Sequence, residues 1–371
     1  MSKRALIPIL LVAFTLIACT RPRRASPQPS VESITTITEY GKSLDWSHTT
    51  DLIAFGKRGE DGYYDVYVMR PDGSSETCLT CGNPDVPKHN GNPAWHPSGE
   101  YIAFTAEKAE NPAEDDEFAI PGTGIHCDLW VMTDDGGHLY RLTDLPWRPA
   151  QGVIHPQFSH DGTMLLWTER VSPGGGLPWG EWALKLADFV VGADGPRIEN
   201  IRTYQPGDQH NFYESHAFSN DDSRILFSAN SIPGQSPTGI DIYEMDLATQ
   251  ELTRLTATLE DWDEHAHYSP DGTRIAWMSS TGFDITYTSI EKHEWARELI
   301  TELWIMDADG SNPQRLTYFN EPDHAEYTGH PVIVSDSAWS PDGNRLAVLM
   351  AYRTASGLRT RIVMITLRAG M

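Results

Sequence analysis

Cysteine is scarce, with four residues in a chain of 371. Once Cys19 is set aside for the reason given below, Cys78, Cys81 and Cys127 remain, and an odd count allows at most one intramolecular bridge. Cys78-Leu79-Thr80-Cys81 lies outside any thioredoxin-like context and has too few thiolates for a metal knot, so a structural disulfide is expected there. Pairing of Cys127 with either member is the rival. Positive charge is also scarce: 28 Lys and Arg stand against 52 Asp and Glu, which argues against nucleic acid as a partner, since binding a polyphosphate needs concentrated positive charge. No Gly-x-Ser-x-Gly elbow, Walker A string or dinucleotide glycine fingerprint occurs, so serine hydrolase, nucleotide and dinucleotide chemistries have no footing. Apart from residues 5–18 there is no long hydrophobic run.

That single run reads as an address. Lys3 and Arg4 precede it, and Leu16-Ile17-Ala18-Cys19 has the lipobox pattern of bacterial lipoproteins, so residues 1–18 are expected to be a cleaved signal peptide. Cys19 would then become the lipidated N-terminus, followed to residue 32 by a disordered tether whose Arg21, Arg23 and Arg24 can sit against anionic headgroups. Removing residues 1–18 takes away two bases and no acid, leaving 26 against 52. The expected location is extracytoplasmic and membrane-anchored, with the outer membrane favoured in a Gram-negative cell because Thr20 is not an Asp.

What the chain has in abundance is repetition. An aromatic residue, a Ser or His and a turn recur as Asp45-Trp46-Ser47, Ala94-Trp95-His96, Gln157-Phe158-Ser159, Ala217-Phe218-Ser219, His267-Tyr268-Ser269 and Ala338-Trp339-Ser340, each followed by an apolar strand. Asp-Gly in copies three, five and six, and Ser98-Gly99 in copy two, supply the positive φ of a tight turn; copies one and four lack that Gly. A second signature follows, an acid opening a third strand at Asp65, Asp128, Asp241 and Glu302. It is answered by Arg-Leu-Thr at 141, 254 and 315 or Cys-Leu-Thr at 78. Blade three keeps only a degraded version. Repeats of this length and content specify an all-β, six-bladed β-propeller over residues 33–371. The last copy lacks a fourth strand, whereas residues 33–39 form a strand with no blade of its own, so the N-terminal strand is expected to complete blade six.

This pattern resembles the TolB-like, WD-repeat-like propeller family of bacterial cell-envelope proteins, carried by the Ser-Pro-Asp-Gly and Asp-Gly-Ser-Asn-Pro-Gln-Arg-Leu-Thr strings over roughly residues 33–367. The resemblance implies the fold and an envelope setting. TolB also carries an N-terminal α/β domain for which this sequence has no residues, so a direct Tol-system role is not expected.

The long insertions, 107–126, 171–182, 230–239 and 279–301, all fall between second and third strands, and 318–336 leads into blade six. In a propeller these emerge on one face, the mouth where the innermost strands begin, and rigidly held loops are the usual carriers of binding residues. Trp147, Trp179, Trp182, Trp262 and Trp295 lie in the insertions and in the connections between blades, and are candidates for stacking on a sugar or anchoring a peptide, or for packing the loops onto the ring. Four residues before the repeat Ser stand His155, His265 and Asp336; with His267 they are candidate ligands for a divalent metal, zinc or manganese. His210, Glu214, His216, Glu264, His324 and His330 are further candidate ligand-binding residues. Oligogalacturonate lyases are similar in placing a histidine-held metal at a propeller's centre. The acidic run 114–117 lacks calcium-loop spacing and reads as a solvated loop, and 289–304 has the periodicity of a short capping helix. Two functions remain open: a binding or scaffold module for an envelope protein, peptide or glycan, and a metal-dependent polysaccharide lyase or hydrolase.

Overall fold

A computed structural model describes residues 28–112, 118–147, 151–174, 179–207, 212–290, 294–355 and 357–368. The signal peptide, Cys19, the three tether arginines, the run 114–117 and His210 lie outside the described residues. Six four-stranded antiparallel sheets form the blades: one (41–78), two (90–141), three (152–204), four (213–254), five (263–315) and six (332–368 with the N-terminal strand). As the missing fourth strand required, Ser30–Glu39 zips antiparallel onto Gly357–Arg368, with Thr35 opposite Met364. The ring is thus closed between the two ends of the chain by hydrogen bonds. Among the described residues no helix is long and apolar enough to cross a membrane.

The recurring motifs close the hydrogen-bond accounts of each blade. In blades two, four and five the acid that opens the third strand accepts from the Arg and the Thr of Arg-Leu-Thr. Asp128 takes Arg141 Nη2 at 2.6 Å and Thr143 Oγ1 at 3.0 Å, and Glu302 takes Arg315 Nη2 at 2.9 Å and Thr317 Oγ1 at 2.6 Å. Blade one keeps the Thr, with Thr80 Oγ1 2.7 Å from Asp65, but has Cys78 where the Arg would stand. That Cys is bonded to Cys81, while Cys127 is free and buried. Apolar clusters then fill the spaces between blades, for example Trp46, Phe55 and Met69 of blade one with Leu349 and Ile362 of blade six.

The turns joining first and second strands share one design. Gly99, Gly162, Gly272 and Gly343 have φ between 67° and 77°, and where copies one and four lack glycine, Asp51 and Asp222 take φ 56° and 57° instead, a conformation Asp tolerates better than most residues. Two segments depart from expectation. The stretch expected to be disordered tether to residue 32 already holds the start of the closing strand at Ser30, and Gln28 is hydrogen-bonded to blade five. The segment expected to be a helix at 289–304 holds, among the described residues, a 3-10 turn, Glu294–Arg297, and the third strand of blade five already begins at Glu302.

Candidate functional site at the channel mouth

Each innermost strand carries an irregularity at the same height. Pairing with the second strand slips between Gly41 and Leu44, Gly91 and Ala94, Ile154 and Gln157, Ser215 and Ala217, Glu264 and His267, and Val334 and Ser337. A bulge re-aims side chains. Here it does so six times around one axis, and Asn92, His155 and His265 are held there at φ 48°, 50° and 54°. Backbone strain of this kind in histidine persists only where the surroundings enforce it, and it clusters at functional sites.

The result is a ring of polar contacts drawing on every blade. Asn92 Nδ2 donates to Ser43 Oγ at 3.1 Å and lies 3.3 Å from His155 Nε2. Glu214 Oε1 lies 3.4 Å from both His155 Nε2 and His265 Nδ1. His265 Nδ1 is 3.9 Å from Asp336, whose other oxygen accepts the Leu44 N–H at 3.1 Å and so returns to blade one. Blade four is the exception in register: Ser215 turns away to donate to the His155 carbonyl at 2.7 Å, and its neighbours Glu214 and His216 face the channel.

Burial sets the charge of this ring. It pushes the carboxyl of Glu214 well up, aided by Glu264 and Asp336, and that of Glu264 up to about 8. It pulls the imidazoles down, His155 to about 3 and His265 to about 4. Burial also opposes ionisation of Asp336, but the hydrogen bond from His267 and the facing imidazoles outweigh it and hold the group down at about 2. Three buried atoms of the ring have no hydrogen-bond partner: Glu214 Oε1, His216 Nδ1 and His265 Nδ1.

Above the ring, on the face that carries the insertions, lies a cavity of about 400 Å³. Its floor is His155, Glu214, Glu264 and His265; its walls include Trp179, Trp182, Trp262 and Trp295, with Lys42 and Arg170 at the side. The indoles hold one another, Trp262 and Trp295 with ring centres 4.8 Å apart and Trp179 edge-on to both. Trp182 and Trp262 are buried, whereas Trp179 and Trp295 are only partly so. These indoles pack the loops onto the ring and also wall the cavity. Arg353 of blade six fixes the 279–301 insertion by donating to the carbonyls of Ala296 and Leu299.

No family model matches this chain. An 87-residue stretch is 29% identical to a protein described as "Uncharacterized peptidase YuxL" from Bacillus subtilis (strain 168), covering 24% of this chain and 10% of that one. Among solved structures, TolB from Acinetobacter baumannii aligns with a TM-score of 0.52 at 16% identity, over 87% of this chain and 66% of TolB. The fold is the TolB-like propeller. A puromycin hydrolase aligns equally well, with a TM-score of 0.52 at 14% identity, over 93% of this chain and 56% of the hydrolase. The chain thus spans less than two thirds of each of these proteins, and at such identity the likeness speaks for fold alone.

Of the residues singled out from sequence, the TolB-like ring gathers His155, Glu214, His216, Glu264, His265, His267 and Asp336 at the channel mouth, and Trp179, Trp182, Trp262 and Trp295 just above. It does not gather Trp147, His324 or His330. Trp147 sits against His126 with ring centres 6.1 Å apart, while His324 and His330 are exposed, stacked near Tyr318 and Tyr352 respectively. Ser43 and Asn92 belong to the ring but were not singled out, although they too stand four residues before the repeat Ser or His. Lys42 and Arg170 had no signal beyond their place in the strands.

Proposed function

We propose that this protein is a lipid-tethered, extracytoplasmic binding module that takes an extended segment of an envelope partner, peptide or glycan, into the cavity of the insertion-bearing face. The observation that carries this reading is the cavity itself, concave, walled by partly exposed indoles and floored by polar groups, which is the usual make-up of a ligand site. The lipobox at Cys19 supports the tether, and the point of chain entry supports an orientation. Gln28 Nε2 donates to Asp307 Oδ1 at 2.9 Å and to the Asn312 carbonyl at 3.2 Å, so the chain joins the ring at a turn between third and fourth strands, opposite the cavity. Nine residues from Cys19 to Gln28 reach at most about 30 Å, so an anchored ring would keep the turn face toward the lipid and the cavity away from it.

The test is a binding screen of envelope peptides and glycan fragments followed by indole fluorescence, with Trp179→Ala and Trp295→Ala. Saturable binding lost in both variants supports the reading; ligand uptake unaffected by either would remove it. Turnover of a bound glycan, rather than its retention, would make the protein a polysaccharide-cleaving enzyme. Separately, Cys19→Ser should release the protein from the membrane fraction, and retention there would count against the lipid.

A further inference from the structure

Two residues of the cavity floor, Glu214 and His265, converge with the buried His216, and together they offer ligand atoms of the kinds a transition metal takes. Glu214, His216 and His265 each place a ligand atom within 4.8 Å of the others, and Glu214 Oε1, His216 Nδ1 and His265 Nδ1 are buried without a hydrogen bond of ordinary geometry. Orphaned buried polar atoms cost stability, and three that converge call for a common cause. We propose that Glu214, His216 and His265 form a three-ligand site for a divalent transition metal of the zinc class, with a fourth coordination position open to the cavity.

The distances suit such an ion. Bonds of about 2.1 Å to nitrogen and carboxylate oxygen in a tetrahedral site place adjacent ligand atoms roughly 3.4 Å apart, and Glu214 Oε1 stands 3.4 Å from His265 Nδ1. The far edges of both imidazoles are already held by neighbours. His216 Nε2 sits 2.6 Å from Ser228 Oγ and 3.2 Å from the His265 backbone N–H, and His265 Nε2 sits 3.2 Å from Ser335 Oγ.

A second cluster, His155, His265 and Asp336, shares His265 and competes for the assignment. Its carboxylate is already committed. Asp336 accepts the Leu44 N–H at 3.1 Å on one oxygen and the Ser337 N–H at 2.9 Å on the other, with His267 Nε2 3.5 Å away. Glu214 Oε1 carries no such bonds, so the ion is assigned to it. His155, 3.4 Å from that oxygen, then flanks the open position.

The experiment uses the full chain, stripped with chelator and titrated with Zn²⁺ by calorimetry and with Co²⁺ by visible absorption. One Zn²⁺ per chain is expected, with Co²⁺ giving the intense visible bands of a tetrahedral site. Glu214→Gln and His216→Gln should each weaken binding by about 100-fold or more, while His324→Gln, at an exposed histidine away from the ring, should bind as wild type does. Circular dichroism and urea midpoints of the metal-free variants check that they are folded. Absence of stoichiometric binding, as expected of a floor that is merely hydrated, overturns the proposal, and so does binding that survives in both folded variants. Because the readout is the metal alone, it is independent of whether any peptide or glycan enters the cavity.

Discussion

The two mouths of the ring handle the same chemical groups in opposite ways. At the turn face, carboxylates are kept ionised by short-range donors: the Thr163 backbone N–H holds Asp161 below the usual range, the Ser219 hydroxyl draws Asp221 down to about 2, and the Ser340 hydroxyl lowers Asp342. Neighbouring turns are also tied across blades, Thr49 Oγ1 donating to the Pro97 carbonyl at 2.6 Å and Asn220 Nδ2 to the Pro270 carbonyl at 2.7 Å. At the channel mouth, burial drives Glu214 and Glu264 toward the protonated acid and leaves ring atoms without partners. The repeat therefore satisfies its own polar groups at one mouth, where it makes the scaffold. The other mouth is free to hold unsatisfied groups, as a binding site must.

The sharpest test makes one substitution at a carboxylate of the repeat scaffold and at a carboxylate of the ring. Glu302 is fully buried and accepts from Arg315, from Thr317, and from the backbone N–H groups of Phe319 and Asn320 at 3.1 and 2.8 Å. Glu302→Gln removes the charge facing Arg315 and turns an amide NH₂ toward donors, and should cost about 3–5 kcal/mol by urea unfolding, the range for breaking a buried pair. A loss below about 1 kcal/mol would show that the motif contributes sequence pattern but little scaffold stability.

Next in size is the disulfide that stands in for the Arg of blade one. Closing so short a loop should contribute about 2 kcal/mol in the chain-entropy model. Cys78→Ser with Cys81→Ser should lower the urea midpoint accordingly and leave cavity binding unchanged, because the bond lies on the outer edge of the blade, away from the channel. A change in ligand or metal affinity would mean that the outer edge and the mouth are coupled.

Blade number, closure and the insertion-bearing face were legible because each rests on phase. Trp46, Trp95, Phe158, Phe218, Tyr268 and Trp339 recur at one register position, and a missing fourth strand at the end has to be matched by a surplus strand at the start. The same phase pointed at His155, His265 and Asp336. It gave no weight to Asn92 and Ser43, because an amide and a hydroxyl do not announce a site. It could not select Glu214 over Ser215, because that choice depends on how one bulge turns the strand. Nor could it foresee that Asp336 is spent on the Leu44 and Ser337 N–H groups, a matter of blade-to-blade contact. Helical periodicity at 289–304 misled because Trp295 and Leu299 pack with Trp262 from a single turn, which needs no helix.

A smaller effect separates the faces by pH. Asp221 has its carboxyl depressed in the folded ring, so its contribution is present above the unfolded value of about 3.9 and is lost as pH falls toward 2. Asp221→Asn should therefore flatten the fall in melting temperature between about pH 4 and pH 2 and lower the melting temperature at pH 7 by the same small amount, small because the group is exposed and screened. An unchanged acid limb would show that the turn carboxylates do not hold the face together.

The smallest expected change is the most telling one. Glu214 is as enclosed as Glu302, with 4% of its surface exposed against none, so a view based on burial alone predicts similar damage from Glu→Gln at either place. The hydrogen-bond accounting predicts otherwise. Burial already favours the uncharged acid at Glu214, a neutral amide of the same shape replaces it, and the Oε1 that is lost had no donor to leave stranded. In chelator-treated protein Glu214→Gln should stay within about 1 kcal/mol of wild type by urea unfolding, whereas with Zn²⁺ present the wild type alone should gain stability through linkage to the bound ion. A metal-free loss as large as that of Glu302→Gln would make Glu214 a structural member of the ring, and the contrast between the two mouths would then rest on the turns alone.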